Sequence, residues 1–239
     1  LLSLPEAQRR QLLEGDWNSP DGAAFYEFRR STHTCKPFEV PGNWRRFRSC
    51  DYGYSQKSAT AVHWYAVDPD NVLYVYREFY TKGMSAKALA RKILELEAGE
   101  NISYGVLDSN CWAQKGSRGP SIAEEMIISG CRWKAAEKGP GSRIQSKNRL
   151  HELLAIDTFN DKPGIIFFDT CRNIIANLEV IPVDPDGSDD VDSKYSDDHS
   201  YDSVRYGIMT RPKSTTMWET LNSGKATSMY RPVDKVFGY

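Results

Sequence analysis

Between residues 45 and 80 the chain commits itself to a sheet. Residues 45–52 (R-R-F-R-S-C-D-Y) alternate, with Phe47 and Ser49 on one face. Residues 58–67 (S-A-T-A-V-H-W-Y-A-V) are almost all apolar or β-forming, the pattern of a strand buried on both faces. D-P-D-N at 68–71 is turn chemistry, and 72–80 (V-L-Y-V-Y-R-E-F-Y) reads as a third strand. Connections this short join antiparallel neighbours, so the three runs form a meander.

Beyond residue 84 helices and strands alternate. Ser85 caps a helix whose Ala86, Leu89, Ala90, Ile93 and Leu96 fall at helical spacing and which Gly99 ends. Residues 102–108 (I-S-Y-G-V-L-D) form a fourth strand, and a crossover through that helix returns it parallel to the first and beside it. A helix over 121–128 is expected to bury Ile122, Met126 and Ile127. A strand is expected at 131–135, a helix at 142–156 and a strand at 164–169. Ile174, Ile175 and Leu178 mark another helix, and Tyr201, Val204 and Ile208 share one face of a last helix that begins at Asp198. The fold class is therefore α/β: a mixed sheet of three antiparallel strands followed by parallel strands, flanked by helices.

The ends read differently. Residues 4–14 suit a short helix with Pro5 in its first turn and Gly15 after it. Residues 31–43, with Pro37 and Pro41 and no period, read as a linker or domain edge. Residues 212–239 have no clear period and are expected to be a mobile tail. The expected division is thus a linker segment over 1–43, one domain over 44–211 and a tail; a start at Leu1 suggests a piece of something longer.

Composition narrows the function classes. With 239 residues, 40% hydrophobic, there is material for one sizeable core. A net charge of -1 supplies no global basic field, so any nucleic-acid surface has to be local. Five widely spaced cysteines without C-x-x-C imply reduced thiols of an intracellular protein, with no disulfide frame or zinc site. No signal peptide and no apolar run of membrane length are present. No G-x-x-x-x-G-K-[ST] loop occurs, so the chain is not a P-loop ATPase; G-P-G-S-R-I-Q-S-K at 139–147 lacks that spacing.

Chemistry gathers at the strand ends. Parallel strands place a site at their carboxyl ends, which sets Asp51 and Asp108 side by side. Two buried carboxylates repel unless a cation sits between them, and Mg²⁺ takes oxygen ligands and substrate phosphates. Asp202 is the best third carboxylate. Asp198 and Asp202 are spaced i,i+4 and His199 and Asp202 i,i+3, so they share one side of a helix. Any one of these acids alone reads as a turn former or cap, and Asp198 as a helix cap; the joint pattern favours a metal site. Two ions about 4 Å apart activate water and stabilise the leaving oxygen of a phosphodiester. Gly53 lets the chain leave its strand tightly, with room for metal and phosphate. Arg132, Lys134, Lys138, Arg143, Lys147 and Arg149 stand against the single acid Glu137 between 132 and 149, with Lys115 and Arg118 nearby, a local excess suited to backbone phosphates. Trp112 and Trp133 read as packing residues.

C-D-Y-G-Y at 50–54, G-V-L-D-S at 105–109 and D-D-H-S-Y-D-S-V-R-Y at 197–206 together resemble the C-terminal nuclease domain of the large terminase subunit of tailed bacteriophages, and L-P-E-A-Q-R-R-Q-L-L-E-G-D-W resembles the end of the terminase ATPase region. The resemblance covers about residues 1–210. It implies an RNase H-like fold and a metal triad of Asp51, Asp108 and Asp202, with Asp51 bridging both ions. Asp198 would be an accessory ligand and His199 a neighbour of the third acid. It implies Mg²⁺ or Mn²⁺, two ions with DNA bound, while the local basic excess sets the expected phosphate contacts at Lys138, Arg143, Lys147 and Arg149. The expected activity is metal-dependent cutting of concatemeric double-stranded viral DNA in the host cytoplasm, with portal and small terminase subunit as partners and no membrane. The alternatives are a non-catalytic DNA-gripping or portal-docking domain, or another RNase H-like nuclease such as a junction resolvase.

Overall fold

The computed structural model describes residues 23–114, 119–157, 161–184, 191–192, 195 and 198–211. The expected N-terminal helix at 4–14, most of the acidic 184–198 loop, Lys115, Arg118 and the 212–239 tail lie outside the described residues.

The three β runs become β2 (Arg45–Asp51), β3 (Ala59–Val67) and β4 (Leu73–Lys82), paired antiparallel in sequence order. After α2 (Ala86–Leu96), β5 (Ile102–Leu107) returns parallel to β2, as the crossover argument requires. Two short strands, β1 (Thr34–Cys35) and β6 (Lys134–Ala135), and the longer β9 (Ile165–Phe168) complete a sheet of order β1-β9-β4-β3-β2-β5-β6, in which β1, β9, β5 and β6 pair parallel with their neighbours. A separate pair, β7 (Ile156–Asp157) and β8 (Lys162–Pro163), lies just before β9.

Helices cover both faces. On one side α6 (His199–Thr210) lies across β2 and β3, flanked by α4 (Ser142–Leu154) and α5 (Arg172–Val180). Phe47, Ser49 and Asp51 point to this side; Phe47 stacks between Tyr65 and Tyr104. On the other side α2 packs with α3 (Ile122–Ile128), and Arg48 is the hub. Its guanidinium makes two 2.9 Å bonds to Glu97, donates to the Arg132 carbonyl and lies over the Trp133 ring. Trp64 Nε1 donates to the same Glu97. Trp133 is thus a packing residue.

Several expectations shift in detail. Residues 31–43 do not stand apart as a linker: α1 (Arg30–His33) and β1 join the sheet edge, with Ala24 and Phe25 buried in the same core. A four-residue helix and a two-residue strand are too short to show a period. The expected strand at 131–135 reduces to Lys134–Ala135, because the chain before it turns inward over Arg48. In α3 the buried residues are Ala123 and Met126, while Ile127 and Ile128 are 40% and 77% exposed. α4 stops at Leu154 rather than 156. Gly53 has a reason other than the one expected: a Cβ there would strike the Ala59 carbonyl and Ser58, and Thr60 Oγ1 exchanges hydrogen bonds with its amide and carbonyl. It closes the β2–β3 turn. No disulfide joins the five cysteines.

Candidate active site

Asp51 is the last residue of β2 and is 7% exposed. Asp108 follows β5 directly; its amide donates to the Cys50 carbonyl at 3.2 Å, so the two acids leave adjacent parallel strands at the same level. Asp108 also caps the short 3₁₀ turn Ser109–Trp112 by accepting from the Asn110 amide. Asp202 comes from the first turns of α6. The helix is held in register by polar groups beneath it: Ser203 bonds Ser49 and His63, and His63 Nε2 bonds Glu78. Glu78 in turn accepts from the Asn173 and Ile174 amides at the start of α5.

Each carboxylate has a nitrogen partner. His199 Nδ1 lies 2.8 Å from Asp51 Oδ2. Lys138 Nζ lies 2.6 Å from Asp108 Oδ1. Arg205 Nε donates to Asp202 Oδ1 at 2.5 Å, and an Arg143 nitrogen stands 3.9 Å from the same oxygen. Electrostatics tie the acids into one site. Burial pushes the Asp51 carboxyl up, and Asp202 and Asp108 add to that against the pull of His199. The hydrogen bond to Asp51 raises His199. Burial and Asp202 push Asp198 up to about 6. Asp198 stands at the cap position of α6, but its side chain makes no capping bond.

The basic residues divide. Lys138 and Arg143 line, with Asp202 and Arg205, an open space of about 500 Å³ beside the acids. Arg149 lies farther along α4 and pairs with Glu152. Lys147, expected among the phosphate contacts, is 8% exposed and among the buried residues of α4.

No family model matches the chain, and no curated protein matches it. Solved structures do. The P22 large terminase nuclease domain superposes with a TM-score of 0.61 at 19% identity, over 80% of this chain and 93% of that one. The large terminase nuclease of thermophilic phage G20c, solved with bound magnesium, gives 0.55 at 15% identity over 79% and 97%. The same protein with bound cobalt gives 0.53 at 13% identity over 79% and 97%. This chain has the large-terminase nuclease fold. The mixed sheet expected from strand order, three antiparallel strands followed by parallel ones, is the observed one.

Within the terminase nuclease fold, the carboxylates suit a hard divalent cation: three aspartates supply oxygen, and their mutual repulsion at Asp51 is what such an ion relieves. Among the described residues, no three His, Cys, Asp or Glu side chains close into a ready cage. Lysine and arginine nitrogens occupy the carboxylate oxygens instead. Two contributors were not singled out from sequence. Arg205 had a signal, its i,i+3 spacing from Asp202. The Ser49–Ser203–His63–Glu78 chain had none, since buried serines and a histidine inside strand and helix patterns read as ordinary core.

Proposed function

We propose that this domain is a divalent-metal-dependent DNA endonuclease, the cutting part of a viral DNA-packaging terminase. The observation that carries the reading is the adjacency of Asp51 and Asp108 on parallel strands, faced by Asp202 from α6. Asp51, Asp108 and Asp202 would hold Mg²⁺ or Mn²⁺, with Asp198 as an accessory oxygen. A bound pair of such ions supplies an activated water and stabilises the leaving oxygen of the phosphodiester.

The chain's own residues do the rest. His199 orients Asp51 through its ring nitrogen. Arg205 is 4% exposed and locks the Asp202 carboxylate in one rotamer. Lys138 and Arg143 neutralise the rim of the open space and are placed to meet backbone phosphates, contacts that position a duplex without reading its sequence. Double-stranded viral DNA in the host cytoplasm is the substrate this reading implies, with portal and small terminase subunit as partners.

Incubation with supercoiled plasmid in Mg²⁺ or Mn²⁺ tests it. Cleavage should appear with metal and fall by about 10²- to 10³-fold in Asp51→Asn and Asp108→Asn, the scale of losing one electrostatic stabiliser of a transition state. Undiminished cutting by either variant would sink the triad. Duplex binding without any metal-dependent cutting would favour a gripping or docking domain, and a preference for branched DNA a resolvase.

A further inference from the structure

The trough between α4 and α6 continues past the carboxylates. Its near end is the space lined by Arg143, Asp202 and Arg205. Farther along, Gln145, Asn148, Arg149 and Glu152 of α4 face Met209 and Arg211 around a second cavity of about 310 Å³. Positions 145, 148, 149 and 152 form one helical stripe, and Asp202, Arg205 and Met209 continue one stripe of α6, so both cavities lie in the same trough. Asp202 to Met209 corresponds to about 10 Å along the helix axis.

The far cavity is cationic. Arg211 is 7% exposed and donates to the backbone carbonyl and side-chain oxygen of Asn71. Burial lowers its pKa, and the guanidiniums of Arg149 and Arg45 lower it further, against Tyr104 and Asp68. Arg149 is half-buried and shares Glu152 at 2.6 Å. Two guanidiniums, those of Arg149 and Arg211, thus line one cavity with the acid Glu152 beside them. Crowded, desolvated cations are unfavourable, and an anion in the cavity relieves them. Anchoring Asn71 accounts for one nitrogen of Arg211 but not for the presence of Arg149 on the same cavity. The hydrolytic chemistry uses neither.

We propose that this cavity is a backbone-phosphate subsite, in which Arg149 and Arg211 hold a phosphate of the same duplex whose scissile bond lies at the carboxylates. The guanidinium fork matches phosphate oxygens in pairs, and Gln145 and Asn148 bring amide donors. At 3.4 Å of axis per nucleotide, the spacing sets the held phosphate about three nucleotides from the cut. The proposal rests on the nuclease reading for its substrate, and the test separates the two.

Binding of a labelled duplex is measured in EDTA across a salt series, so that affinity is read without cleavage. Arg149→Gln and Arg211→Gln should each weaken binding about three- to ten-fold and reduce the slope of log Kobs against log[salt] by about 0.9. Glu152→Gln releases Arg149 and should tighten binding. Unchanged affinity and slope in Arg149→Gln, whose side chain is not part of the core, overturn the subsite even if Arg211→Gln fails to fold. Inorganic phosphate is the second probe. If it raises the melting temperature of the wild type but not of Arg149→Gln, while duplex binding is the same in both, the cavity takes a free anion and the assignment to DNA is overturned. A wild type that binds without cutting defeats the nuclease reading and leaves the subsite; one that cuts but ignores Arg149→Gln does the reverse.

Discussion

Asp108 and Lys138 show how single residues hold this site between uses. Their 2.6 Å pair is only partly exposed, so Lys138 competes with any cation for that oxygen. Lys138→Ala should tighten Mn²⁺ binding about five-fold by isothermal titration, since such a pair contributes about 1 kcal/mol. On the proposed reading the same change would also remove a phosphate contact and should weaken duplex binding. Asp198 makes a pH prediction. Its carboxyl is pushed up to about 6 in the folded chain from 3.8, so between those values the native state keeps a proton the unfolded chain has released. Stability from this group therefore falls as pH rises through that window, and the penalty is complete above about 6. In metal-free buffer, Asp198→Asn should raise the melting temperature at pH 7 and flatten its rise on acidification toward pH 4. A wild-type and variant pair with parallel pH curves would contradict this.

At the scale of elements, α6 decides whether there is a site at all. It is laid on β2 and β3 through Gly207, where an added Cβ would come within 2.7 Å of the Tyr65 ring carbon Cζ and hydroxyl. Glycine inside a helix is unfavourable by about 1 kcal/mol relative to alanine, so close approach is the reason for it here. Gly207→Ala should lift the helix and destabilise the fold by about 1–3 kcal/mol in urea titrations. Because the same helix carries His199 and Asp202, cleavage should drop in folded Gly207→Ala by more than the unfolded fraction explains. The polar chain from Ser49 through Ser203 and His63 to Glu78 fixes the helix's rotation as Gly207 fixes its height, and it links α6 to the start of α5.

Across the whole molecule the two faces of the sheet do different things. The α6 face gathers the titrating groups, while the α2–α3 face holds the Arg48–Glu97–Trp64 cluster far from the carboxylate side. Breaking a buried pair leaves an uncompensated charge, so Glu97→Ala should cost about 3–5 kcal/mol in equilibrium unfolding. Per folded molecule, plasmid cleavage well below the transition should persist. Loss of cleavage in the folded variant would mean the faces are coupled.

The strand order was legible because short turns permit only antiparallel pairing and a helical crossover returns the next strand parallel, which alone sets Asp51 beside Asp108. Periodicity likewise marked Tyr201, Val204 and Ile208 as the seated face of α6. It could not find β1 or shorten β6, because two residues carry no period. Nor could it tell Lys138 and Arg143, on the open rim, from Lys147, turned inward: three basic residues in one stretch look alike until a neighbouring helix covers one of them. Chain connectivity and local pattern therefore determined the sheet and the pairing of its strand-end acids. Only the packing of α6 against β2, β3 and α4 decided which side chains face the carboxylates and brought Arg149 and Arg211 to one cavity, since those contacts join residues that the sequence separates widely.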